Sequence, residues 1–177
     1  MFDNIRHDFQ TYDCDWSAQG FWVMLIYRFG RWRYRIKSTI LRKPFSFVYK
    51  FLFKVMQVLT GIELPCEVEI GRNFLIDHFG GIIVSGYARF GNNCRIRNGV
   101  VIGLRRIAER SAPVIGDNVD IGAGAKLLGP IRIGNNVVIG ANAVVLTDVP
   151  DDSIAVGVPA RVRPRRHRAL IDPGDIK

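Results

Sequence analysis

The chain is 177 residues long, 48% apolar and 23% charged, which is one domain's worth of sequence with enough apolar side chains to bury a core. That composition excludes general disorder, and 18 glycines without a G-X-Y period exclude collagen while indicating a turn-dense fold. Lys and Arg outnumber Asp and Glu by 25 to 16, a net charge of +9 that implies an anionic partner.

The N-terminal MFDNIRHDFQ is polar and of mixed charge, unlike a signal peptide, and the apolar stretches, such as Phe21 to Tyr27, are too short to span a bilayer. Cys14, Cys66 and Cys94 are odd in number and form no C-x-x-C pair, so they read as free thiols of a cytoplasmic protein, without a disulfide framework or a zinc site. Between Trp16 and Ile62 there are nine Lys or Arg and no carboxylate. Residues 17–41 carry apolar groups at helical intervals (Phe21, Met24, Leu25, Trp32), and Pro44 stops or kinks the helix before a second apolar run to Leu59. Two helices are expected. Their basic surface, interleaved with Trp, Tyr and Phe, is either a solvated face or one suited to peripheral contact with an anionic membrane, such as its inner face.

Beyond residue 62 the composition changes and an internal repeat sets in. Apolar residues recur every six positions: Ile70 and Ile76; Val84, Phe90, Ile96 and Ile102; Ile115, Ile121, Leu127, Ile133, Ile139 and Val145. Several precede Gly directly, as in Ile121-Gly122 and Ile139-Gly140. Six fits neither the helical nor the simple strand period. It fits a short flat strand, a corner where Gly or Asn permits positive φ, and another strand, so that three hexads close one triangular coil. The repeated aliphatics then stack inward, coil on coil at about 4.8 Å, in a parallel β-helix. The register slips between Ile76 and Val84 and again between Ile102 and Ile115, where GLRRIAERSAP lacks the inward aliphatic and should be an extruded, functional loop.

From Glu63 to Val162 the sequence resembles the serine acetyltransferase branch of the hexapeptide-repeat acyltransferases, through Leu75-Ile76-Asp77-His78 with Gly80-Gly81-Ile82-Ile83-Val84, Ile121-Gly122-Ala123-Gly124-Ala125-Lys126, Ile139-Gly140-Ala141-Asn142-Ala143-Val144-Val145 and Gly157-Val158-Pro159-Ala160-Arg161. Tyr27-Arg28-Phe29-Gly30-Arg31-Trp32 extends the likeness weakly into the helices. The resemblance implies a left-handed coil, against the usual right-handed crossover rule, and a homotrimer with active sites between subunits. The expected organisation is a helical region over 1–62, a β-helix acetyltransferase domain over 63–162 and a basic tail over 163–177. Two departures stand out: Ser111 and Ala112 occupy the positions before Pro113 where the family has Arg-His, and the family's long N-terminal helical domain is missing. Short chains of this kind are similar to O-acetyltransferases of colanic acid and other exopolysaccharides, which implies a sugar hydroxyl as acceptor; L-serine is the alternative.

Acetyl transfer from a thioester to a hydroxyl needs a base, an oxyanion donor and a track for the donor. Of the three histidines, His7 and His167 lie in polar terminal segments, and His78 lies at the first register slip. By the resemblance His78 is the general base and Glu63, fifteen positions earlier, is its carboxylate partner, where the family usually has Asp. Asp77 matches an acceptor-contacting carboxylate, with a plain turn residue as its other reading. Asp15 matches a second such carboxylate, with a helix N-cap as the alternative. Gly103, Ala123 and Ala141 match positions whose backbone approaches coenzyme A, and Lys126 and Arg161 are candidates for its phosphates. Arg110, with Arg105 and Arg106, could grip an anionic acceptor. Acetyl-CoA is thus the expected co-substrate, with no metal. Two non-enzymatic readings compete. An inert β-helix scaffold needs no Asp-His at a register slip, and a nucleic-acid binder has only the charge in its favour.

Overall fold

The computed structural model describes residues 2–106, 108 and 110–165, so the proposed tail, His167 included, lies outside the described residues from position 166 onward. Three helices come first, α1 (Phe2–Thr11), α2 (Gln19–Arg33) and α3 (Thr39–Thr60). The sequence predicts two helices, with the break at Pro44. The break falls instead at residues 34–38, and α3 runs through Pro44. Ser38 caps α3 by accepting from the Leu41 amide at 3.5 Å. Pro44 then forfeits a single bond, to the carbonyl of Ile40, a residue exposed to solvent. Gly61, at φ 65°, ends α3 by donating to the Gln57 carbonyl at 3.0 Å and turns the chain into the first strand.

The remaining chain is a three-sided prism. One face stacks β1 (Ile62–Glu63), β4 (Ile82–Val84), β7 (Val101–Gly103), β10 (Lys126–Leu128) and β13 (Val144–Val145). A second stacks β2 (Glu69–Ile70), β5 (Arg89–Phe90), β8 (Val114–Ile115) and β11 (Arg132–Ile133). The third stacks β3 (Leu75–Ile76), β6 (Arg95–Ile96), β9 (Asp120–Ile121), β12 (Val138–Ile139) and β14 (Ser153–Val156), all parallel, and ends in the antiparallel β15 (Arg161–Pro164). Along the first face successive coils advance by 20, 18, 25 and 18 residues. Eighteen is three hexads, so the first excess is the Asp77–Gly81 corner and the second is the extruded loop.

The hexad side chains from Ile76 to Val145 fill the axis, none more than 5% exposed. One corner is held by an amide ladder at positive φ, in which Asn73 donates to Asn93, Asn93 to Asn118 and Asn118 to Asn136. Each rung satisfies side chains that would otherwise compete with the coil's own hydrogen bonds.

Candidate active site

The helices seat against the first coils and build one wall of a cleft. The Asp8 carboxylate, 2% exposed, accepts two bonds from Arg28 at 2.8 and 3.0 Å, and Arg28 also donates to the Gly71 carbonyl at 3.3 Å, so α1, α2 and the coil are joined at one point. Burial works against the Arg28 charge, but Asp8 outweighs it and holds the guanidinium above its ordinary value. At the end of α1 the Tyr12 hydroxyl accepts from the Ile76 amide at 3.0 Å, one residue before Asp77 and His78. Burial raises the pKa of the Tyr12 phenol. Gly20 allows this approach, since a Cβ there would lie 2.7 Å from both the Ile76 carbonyl and the Tyr12 ring.

The resulting cleft, about 710 Å³, is lined by Asp13, Asp15, Gln19, Asp77, His78 and Arg95 among others. His78 is exposed, with no hydrogen bond or ion pair among the described residues, so its ring nitrogens are available to a substrate. The Asp77 carboxylate lies 3.5 Å from Arg95 Nε and 3.3 Å from Arg97 Nε. Arg97 is drawn on to Asp120 as well, and that hydrogen bond raises its pKa despite partial burial. The short turn Asp15-Trp16-Ser17 places Asp15, whose oxygens accept from the Ser17 amide at 2.7 Å and hydroxyl at 2.8 Å. These two bonds lower its pKa. The N-cap reading is thereby corrected: the N-cap of α2 is Ala18, without a side-chain bond, and Asp15 braces the turn before it.

The structure therefore brings Asp15, Asp77 and His78 together. It does not join Glu63 to His78: Glu63 Oε2 accepts instead from Gln57 of α3 at 2.8 Å. Arg110 is exposed on the extruded loop and Ala112 is buried at its base. Lys126 is half-buried, its Nζ donating to the Gly99 and Gly124 carbonyls at 2.8 and 2.7 Å, which commits two of its three donors. Ala123 and Ala141 occupy the same corner on successive coils, where Ala123 accepts from the Asn142 amide at 2.8 Å. Gly103 faces room: a Cβ there would meet only Leu128, at 4.0 Å. Arg161 is exposed on β15. Arg95, Arg97 and Asp13 were not among the expected site residues. The 20-residue first coil pairs Leu75 with Arg95 and Ile76 with Ile96, which puts Arg97 beside Asp77.

A triangular coil of stacked hexads with an exposed histidine at a corner defines a class, and residues 112–147 match the family described as bacterial transferase hexapeptide (six repeats). The serine acetyltransferase of Bacillus subtilis is 34% identical over 98% of this chain and 86% of its own length. The chain belongs to the serine acetyltransferase family, and the prism is that family's left-handed β-helix. A soybean serine acetyltransferase complexed with serine superposes with a TM-score of 0.72 at 34% identity, covering 82% of this chain and 58% of the soybean one. A serine acetyltransferase in complex with CoA gives 0.71 at 31% identity, covering 82% and 57%. The chain thus spans a little under three-fifths of those two structures. These relatives overturn the expected sugar-hydroxyl acceptor and the closeness to exopolysaccharide O-acetyltransferases: the proteins matched along nearly the whole chain are serine acetyltransferases.

Proposed function

We propose that the protein transfers an acetyl group from acetyl-CoA to the hydroxyl of L-serine, giving O-acetyl-L-serine and CoA. The observation that carries this reading is the meeting of His78 with an acidic and a basic group, Asp77 and Arg95, in one cleft of a chain from this family. An amino acid presents an ammonium and a carboxylate at fixed separation, and a carboxylate beside a guanidinium answers both. Asp77, aided by Asp15, takes the ammonium, and Arg95 takes the carboxylate through charge-assisted bonds. Arg95 thus replaces the cation that the family has where this chain has Ser111-Ala112. Arg110 on the loop is the second candidate for that carboxylate.

His78 accepts the hydroxyl proton as the serine oxygen attacks the thioester carbonyl. The C–S bond then breaks, and the proton passes to the departing CoA thiolate. Glu63 serves as a positioning residue for the imidazolium once it turns from Gln57. The small corner at Ala123 and Ala141, with Gly103, leaves a track for the pantetheine arm, and Arg161 and the remaining donor of Lys126 answer its phosphates. Three copies complete the clefts, each bounded by a neighbour, so light scattering should give a trimer mass near 60 kDa, about three times the 20.0 kDa chain.

The test is a steady-state assay of CoA release with varied L-serine. Arg95→Gln should raise KM for L-serine about tenfold or more and leave KM for acetyl-CoA within about twofold. Equal effects on both constants would remove Arg95 from the acceptor site.

A further inference from the structure

α3 is amphipathic on its outward side. Its inner side packs Tyr49, Phe53 and Met56 on the core, and Tyr49 accepts from the Cys66 amide at 2.9 Å. Its outer side exposes Ile40, Leu41, Phe47, Phe51, Val58 and Leu59, each 62% exposed or more. Spacings of seven, four and seven from Ile40 through Phe47 and Phe51 to Val58 place these four on one stripe about 27 Å long. Isolated exposed apolar residues need no explanation, but a continuous stripe along about five turns of one helix does.

One flank of this stripe is cationic. A shallow groove of about 320 Å³ is lined by Thr39, Arg42, Lys43, Ser46, Phe47 and Lys50. Lys43 and Lys50 have no hydrogen-bond or ion-pair partner among the described residues, and Lys54 lies along the same flank. No helix among the described residues is long and apolar enough to cross a membrane. A helix lying in the plane of an interface needs an apolar face, cations beside it and no carboxylates, and α3 meets all three conditions. An antiparallel second copy of α3 fits less well, because pairing the stripes that way would bring the lysine flanks together with no acidic residue in either helix.

We infer that α3 is a peripheral membrane-docking helix whose stripe enters the headgroup boundary of an anionic bilayer while the groove at Lys43 and Lys50 takes lipid phosphates. This inference is independent of the acceptor. The experiment is co-sedimentation of the full chain with vesicles of phosphatidylcholine containing about one-third phosphatidylglycerol, against phosphatidylcholine alone. Binding should be confined to the anionic vesicles and fall with added salt. Lys43→Ala/Lys50→Ala should lower the partition coefficient about 25-fold, taking roughly fivefold per lysine. Phe47→Ser/Phe51→Ser should abolish binding with an unchanged circular dichroism spectrum, since both rings are solvent-exposed. Equal binding to both vesicle types, or none to either, overturns the inference. So does a fall in oligomer mass in the Phe47→Ser/Phe51→Ser protein, which would assign the stripe to a second copy.

Discussion

Removing the Asp8 carboxylate should loosen the whole acceptor wall. Asp8→Ala leaves the Arg28 guanidinium, whose side chain is 12% exposed, with the Tyr27 ring at 5.4 Å and, as hydrogen-bond acceptor, only the Gly71 carbonyl at 3.3 Å. Breaking a buried ion pair by deleting one partner costs about 3–5 kcal/mol, and the residual exposure of Arg28 favours about 3. With a urea slope of about 2–3 kcal/mol/M for a chain of this size, the unfolding midpoint should fall by about 1–1.5 M. Tryptophan fluorescence suits the measurement because Trp16, Trp22 and Trp32 all lie in the N-terminal region that Asp8 and Arg28 secure. The KM for L-serine should rise as well, since α1 holds Tyr12 on Ile76 beside His78. The double variant Asp8→Ala/Arg28→Met should recover about half the loss or more, because it removes the stranded charge. A single-variant loss below about 1 kcal/mol, or no recovery in the double variant, would show that Asp8→Ala strands no buried charge on Arg28.

Burial pushes the Cys94 thiol up to about 11, above the ordinary thiol value, so between pH 9 and 11 the unfolded chain binds fewer protons than the folded one. Stability should therefore decline across that window, by about 1 kcal/mol at pH 10, and Cys94→Ala should flatten that decline in urea titrations. Of the three cysteines only Cys14 is exposed, so a thiol reagent should modify one site in the native protein and all three after denaturation. Gly122→Ala should destabilise by about 2 kcal/mol or more and weaken acetyl-CoA binding in calorimetry, because the new Cβ would lie 2.6 Å from the Ala141 amide nitrogen, forcing two coils apart.

The β-helix is legible because each inward position carries its own evidence: Ile121, Leu127, Ile133, Ile139 and Val145 keep the register without a gap, and glycine or asparagine marks the corners. α1 is not legible in that way. A ten-residue helix is marginal alone, and this one is held by Asp8 on Arg28 and by Phe9 against Phe21 at 5.1 Å, contacts that join segments far apart in sequence. Pro44 misleads as a helix stop because a proline near a helix start, one turn after the solvent-exposed residue Ile40, forfeits little. His78 stands out from the sequence by its place at a register slip. Arg95 and Arg97 do not, since the six-residue register only turns them outward; the pairing of β3 with β6, Leu75 on Arg95 and Ile76 on Ile96, is what sets them beside Asp77. Ser111 and Ala112 suggest a non-amino-acid acceptor for the same reason: the cation proposed for the carboxylate lies on β6 and not on the loop.

If His78 moves the serine proton, acetyl transfer measured as O-acetyl-L-serine formation must depend on it. The wild-type protein should turn over saturably, with kcat/KM on the order of 10⁴ M⁻¹s⁻¹ or more. His78→Ala should lose roughly 10² to 10⁴ in kcat while keeping its circular dichroism spectrum and CoA affinity. Near wild-type turnover in a folded His78→Ala protein would remove His78 as the base, and no serine-dependent product from the wild type would remove serine as the acceptor.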